Sequence, residues 1–125
     1  MKRIALSPGD PAGVGPEICL KSLQEINNLS DFELIGDIDF YKKLSKDLNL
    51  NLSFEETSNT KNSIVVRNIK LDSEVVLGSP NILNAKYTLD VLLAGTLGAI
   101  NKEYSALVTG PVNKKIINDY GFESV

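Results

Sequence analysis

The chain has 125 residues, 42% of them hydrophobic and 23% charged, the make-up of one ordinary globular domain with a core of its own. Sixteen acidic against thirteen basic side chains leave a net charge of −3, which gives no electrostatic footprint for nucleic acid. With no histidine and a single cysteine, Cys19, an internal disulfide and an N/S metal site are both excluded, and the lone thiol fits a reducing cytoplasm.

Residues 3–7 read as a short apolar strand. It runs directly into Ser7-Pro8-Gly9-Asp10-Pro11-Ala12-Gly13-Val14-Gly15-Pro16-Glu17, where three glycines and three of the chain's five prolines shape a tight turn. Pro16 suits the first turn of a helix, because its missing N–H is not needed there and its φ is already helical. Strand, glycine loop and helix start form a geometry that brings a polar ligand against backbone N–H groups. The spacing nevertheless fails both nucleotide fingerprints, lacking the third glycine of G-x-G-x-x-G and the Gly-Lys-Ser/Thr of a P-loop. Glu17 would also repel a nearby phosphate. On the residues alone, a ligand loop and a turn that merely starts a helix both remain open.

The spacing next predicts a helix over 16–26 with Ile18, Cys19, Leu23 and Ile26 inward, so that Cys19 is a core residue. A buried strand follows at 32–36. Asp37 is placed to cap a helix over 38–48 carrying Phe40, Leu44 and Leu48. Residues 49–53 read as extended and 55–63 as a polar loop. Strands are expected at 63–67 and 73–77, then a break at 78–81. A long helix over 82–102 carries Leu89, Leu92, Leu93, Leu97 and Ile100 on one broad face, with Gly95 either permitting close packing or simply tolerated. A buried strand at 104–109, a Gly110-Pro111 turn and a short helix over 112–119 complete the series. Strands alternating with helices imply a three-layer α/β sandwich with a mostly parallel sheet. No apolar stretch is long enough to span a membrane; the longest, 91–100, is interrupted.

Residues 7–18, Ser-Pro-Gly-Asp-Pro-Ala-Gly-Val-Gly-Pro-Glu-Ile, closely resemble the N-terminal signature of the 4-hydroxythreonine-4-phosphate dehydrogenase family of pyridoxal phosphate biosynthesis. Residues 106–117, Ala-Leu-Val-Thr-Gly-Pro-Val-Asn-Lys-Lys-Ile-Ile, look like that family's strand–turn–helix element. The resemblance implies a single α/β domain over 1–125, an incomplete part of the isocitrate/isopropylmalate dehydrogenase-like fold, covering about the first third of a family member. It further implies NAD-dependent oxidation of 4-phosphooxy-L-threonine, a small phosphorylated hydroxy amino acid, followed by decarboxylation. A divalent metal (zinc, magnesium or cobalt) would act as Lewis acid in the full-length enzyme, a cytoplasmic homodimer with no nucleic-acid or membrane partner.

Carried onto this chain, the resemblance assigns Gly9, Asp10, Gly13 and Gly15 to the cofactor side, and Gly110, Asn113 and Lys114 to the substrate cleft. The family's metal-binding histidines lie beyond the stretch corresponding to Val125, so this chain alone is expected to be inactive, with no metal ligand, no catalytic residue and no bound cofactor. Each assignment has a plainer counterpart. Asp10 suits a bond within its own turn, and of the adjacent Lys114 and Lys115 at most one can face a cleft. Two alternatives stay open. A non-redox phosphate acyltransferase-like enzyme would account for residues 106–115 but not for the opening loop. A non-catalytic binding module suits the literal chain.

Overall fold

A computed structural model describes residues 2–57, 62–112 and 114–115. Alternation along the strands decides the layers. In β1 (Arg3–Ser7) and β2 (Phe32–Gly36), Leu6 and Leu34 point to one face of the sheet, while Ala5 and Ile35 point to the other. The first face is covered by α1 (Gly15–Gln24) and α2 (Ile38–Asp47), through Leu20 and Leu23 of the former and Ile38, Tyr41 and Leu44 of the latter. The second face is covered by α3 (Ala85–Ile100), whose Tyr87 and Val91 pack against Ala5, Ile35 and Tyr104. The expected three-layer α/β sandwich is therefore present.

With β3 (Ser53–Glu55), β4 (Ser63–Asn68) and β5 (Tyr104–Thr109), the sheet has the order β3-β4-β2-β1-β5, and every pairing is parallel. From β1 the chain steps outward to β2 and on to β3, turns back to insert β4 between those two, then returns to place β5 on the opposite side of β1. The strand order thus reverses between β1 and β5. In open α/β sheets such a reversal leaves a crevice at the carboxyl ends of the two strands, the usual place for a ligand.

Several sequence expectations are met. Asp37 caps α2, its Oδ1 accepting from Phe40 N at 3.0 Å, while Oδ2 accepts from Leu71 N at 2.9 Å and ties the chain after β4 to the same residue. Gly95 is a packing glycine, since a Cβ there would lie 2.6 Å from Leu107 Cδ1 and 3.4 Å from Ile35 Cδ1. Others are corrected. Residues 73–77 form no strand, only an isolated bridge between Val76 and Ser79; the segment is held by side chains instead, with Asn84 Oδ1 accepting from Ser73 N. On α3 the buried face runs through Ala85, Thr88, Val91, Gly95 and Gly98, and Leu93, Leu97 and Ile100 point outward. Small residues let the helix lie close to the sheet, so leucine spacing misidentified the buried face. β5 is an edge strand with most of its residues exposed, where a buried strand was expected. Extended structure expected at 49–53 is realised as β3, slightly later. Apart from residues 112, 114 and 115, the helix expected over 112–119 lies outside the described residues.

Candidate functional site

The loop after β1 and the Gly110-Pro111 turn after β5 meet at the strand-order reversal. Gly110 N donates to Ser7 O at 2.7 Å, and Asp10 N donates to Pro111 O at 2.9 Å. Backbone approaches backbone so closely that side chains are excluded. A Cβ on Gly9 (φ +90°) would collide with the Pro111 carbonyl, and one on Gly15 or on Gly110 with the Pro8 carbonyl. Gly9 and Gly110 thus serve the junction of the two loops, and Gly15 serves the close return of the opening loop on its own Pro8 carbonyl. Gly13 differs: it is exposed, and a Cβ there would meet only Asp10, at 3.4 Å or more. The sequence shows four glycines at a possible ligand site, and the structure divides them by what occupies the space beside each.

Within the opening loop Asp10 makes an Asx turn, its Oδ1 accepting from Ala12 N at 2.8 Å, while Gly13 N donates to Asp10 O at 3.0 Å. Asp10 Oδ2 has no hydrogen bond among the described residues. The local bond expected of this residue is thus present, and half of its carboxylate remains available. Behind the loop, Val14 caps α1 without a side-chain bond and Pro16 sits in the first turn, as its missing N–H suggests. Glu17 is occupied by Lys21 at 3.1 Å on the exposed side of the helix.

A groove of about 350 Å³ opens beneath the two loops, between α1 and the free edge of β5, lined mainly by apolar side chains including Ile18, Leu23, Ile26, Phe32 and Val108. Ile18, expected inward, is 57% exposed on this groove. Cys19 also lines it, packed against the core, and burial pushes its thiol up to about 12. Such a lining suits hydrocarbon or aromatic surface, not phosphate. Helical spacing could not show that Ile18 faces a groove beside β5, which has no outer neighbour among the described residues.

Of the substrate-side candidates, Gly110 lies in the loop junction, Lys114 is exposed and Asn113 lies outside the described residues. Both arginines are engaged elsewhere. Arg3 pairs with Glu33 at 3.8 Å, and Arg67 Nη1 donates to Tyr104 Oη at 3.4 Å, that hydroxyl in turn donating to Glu33 Oε2. Among the described residues, no group of three or more Asp, Glu, His or Cys could hold a metal ion, and no helix is long and apolar enough to cross a membrane.

Residues 28–125 match the family model of the pyridoxal phosphate biosynthetic protein PdxA. The chain belongs to this family. A PdxA-family relative named 4-hydroxythreonine-4-phosphate dehydrogenase, from Wigglesworthia glossinidia brevipalpis, is 37% identical over 132 residues, covering all of this chain and 40% of the relative. One of the same name from Yersinia enterocolitica is 33% identical over 126 residues, covering 95% of this chain and 38% of the relative. The crystal structure of 4-hydroxythreonine-4-phosphate dehydrogenase from Klebsiella pneumoniae superimposes with a TM-score of 0.86 at 22% identity, covering 99% of this chain and 41% of that one, which shows the shared fold. The chain therefore spans about two fifths of the length of these PdxA-family proteins. Residues 106–117 fall inside the family-model match, whereas residues 7–18 precede it and are covered by the Wigglesworthia relative.

Proposed function

We propose that this chain supplies the amino-terminal portion of an NAD-dependent 4-hydroxythreonine-4-phosphate dehydrogenase in pyridoxal phosphate biosynthesis. The observation that carries the proposal is positional. The two segments most like the family's own, the opening loop and the turn after β5, lie side by side at the strand-order reversal, on the ligand side of a parallel sheet.

When bound, NAD would supply the hydride acceptor for oxidation of the substrate's secondary alcohol, the hydroxyl proton passing to solvent; loss of carbon dioxide from the resulting β-keto acid, with uptake of a proton at the carbon it leaves, would complete the reaction. Within this chain the proposed roles differ by residue. Gly13 offers an open surface on the rim of the loop, and Asp10 offers its second carboxylate oxygen as a hydrogen-bond acceptor, which suits a hydroxyl rather than a phosphate. Gly9 and Gly15 contribute through loop shape, because the space beside them is filled by protein backbone. Gly110, Asn113 and Lys114 are assigned to the substrate side, with Lys114 supplying positive charge for a phosphorylated substrate. The described residues do not fit a divalent metal, since no three or more of their Asp, Glu and Cys side chains group to hold one. We further propose that the 125-residue chain alone is inactive, and that the complete enzyme is a cytoplasmic homodimer.

A chimera tests the reading. Residues 1–125 replace the corresponding part of the Wigglesworthia relative, and NADH formation is followed at 340 nm with 4-phosphooxy-L-threonine. The expected result is turnover by the chimera and none by the isolated chain. A folded, dimeric chimera that binds neither NAD nor substrate would overturn the reading. Turnover by the isolated chain would overturn its proposed inactivity.

A further inference from the structure

We infer that the Gly110-Pro111 turn is a positioning element for Asp10, so that the substrate-side and cofactor-side loops move as one unit; the functional meaning of this coupling rests on the reading just proposed. At a strand-order reversal the two loops ordinarily diverge and leave a crevice. Here they are joined by two backbone hydrogen bonds running in opposite directions, Gly110 N to Ser7 O and Asp10 N to Pro111 O.

The second bond is the informative one. The residue whose N–H is held by Pro111 is the residue whose carboxylate builds the Asx turn onto Ala12 N and whose carbonyl accepts from Gly13 N. Asp10 is thus fixed through three of its polar groups. One tie leads to the other loop, and two lead into its own. A displacement of the turn at 110–111 cannot leave Asp10 in place without breaking the first tie, and the two loops lie backbone against backbone there, with no room for a Cβ at Gly9 or Gly110. A ligand that draws the β5 turn toward itself would therefore shift the Asp10 carboxylate and the exposed Gly13 surface together. That is a physical route by which one subsite adjusts the other, through a contact less than 3 Å long rather than through the sheet.

The test uses the 125-residue chain without ligand, by amide hydrogen exchange and ¹⁵N NMR. In Gly110→Ala, where a Cβ meets the Pro8 carbonyl, the Asp10 amide is expected to lose at least about tenfold of its protection, and the Ala12 and Gly13 resonances to shift with it. Amides of β2 and β4 should keep their protection, which a general loss of stability would not allow. Gly13→Ala, with room for its methyl, should leave both inter-loop amides protected. Asp10→Ala provides the reciprocal measurement should Gly110→Ala not fold: breaking the Asx turn is expected to shift the Gly110 amide. A folded Gly110→Ala with Asp10 protection unchanged, or an Asp10→Ala that leaves Gly110 unmoved, would overturn the coupling. Neither outcome depends on NAD binding, so failure of the coupling and failure of the proposed activity are read separately.

Discussion

The sharpest prediction contrasts two glycines two residues apart in the opening loop. If both were glycine to admit a ligand, Gly13→Ala and Gly15→Ala would cost the unliganded chain little and similarly. If both were glycine for backbone conformation, both would be costly. The structure supports neither symmetry. At Gly15 a methyl would sit well inside contact distance of the Pro8 carbonyl, a backbone atom that cannot rotate away. Forcing it in requires the loop to lift from α1, at about 2 kcal/mol by the usual cost of overpacking. At Gly13 the nearest atom is Asp10 O at 3.4 Å, and the backbone lies outside the left-handed region. Alanine there is expected to change stability by less than about 0.5 kcal/mol, with reduced freedom of the unfolded chain offsetting any crowding. Urea denaturation at pH 7 reads the difference directly. On heating, Gly15→Ala should melt about 8 °C below the parent, given the enthalpy of a chain this size, and Gly13→Ala within about 2 °C of it. Equal destabilisation of the two variants, or a neutral Gly15→Ala, would refute the argument that close approach of the backbone determines which glycines are required.

Removing the Asp37 carboxylate withdraws an N-cap and the acceptor for Leu71 N together, so Asp37→Ala is expected to cost about 2 kcal/mol in urea unfolding, more than a cap alone. The Cys19 thiol, pushed up to about 12 by burial, should react with a disulfide reagent at pH 8 roughly a thousandfold more slowly in the folded chain than in urea; equal rates would contradict its burial. Burial also raises Tyr87 to about 12 and Tyr41 above its ordinary value. For these acids the fold favours the neutral form, so the stabilisation is complete below pH 9 and is lost as pH rises from there toward 12. Each group then contributes a slope approaching about 1.4 kcal/mol per pH unit, and Cys19→Ala should flatten the earliest part of that decline. Finally, the exposed Ile18 and Val108 beside the apolar groove should make the isolated chain enhance the fluorescence of an anilinonaphthalene dye, and Ile18→Ser should reduce that signal.

What could be read from the residues, and what could not, follows from which interactions are local. Asp37 as a cap, the strands at 3–7 and 32–36 and the helix after Pro16 depend on neighbours within a few positions, and each is found where expected. The α3 face and the burial of β5 depend on what lies across the sheet. Leucine spacing on 85–100 identifies an apolar stripe, but the contact surface is decided by Gly95 fitting Leu107 and by Gly98 admitting the Tyr104 ring, partners only the tertiary fold brings together. The strand expected at 73–77 failed for the same reason: a β-pattern forms a ladder only if a free edge is within reach, and here the side chains of Asp37 and Asn84 hold the flanking backbone instead. The site shows both kinds of information in one place. Its location at the ends of β1 and β5 was legible from two glycine-bearing turns following two strands. The division of labour among its glycines was not, because Gly9 and Gly110 are explained by the carbonyls of Pro111 and Pro8 across the junction and Gly15 by the Pro8 carbonyl on which its own loop folds back, and the spacing of residues along the chain carries no record of those meetings.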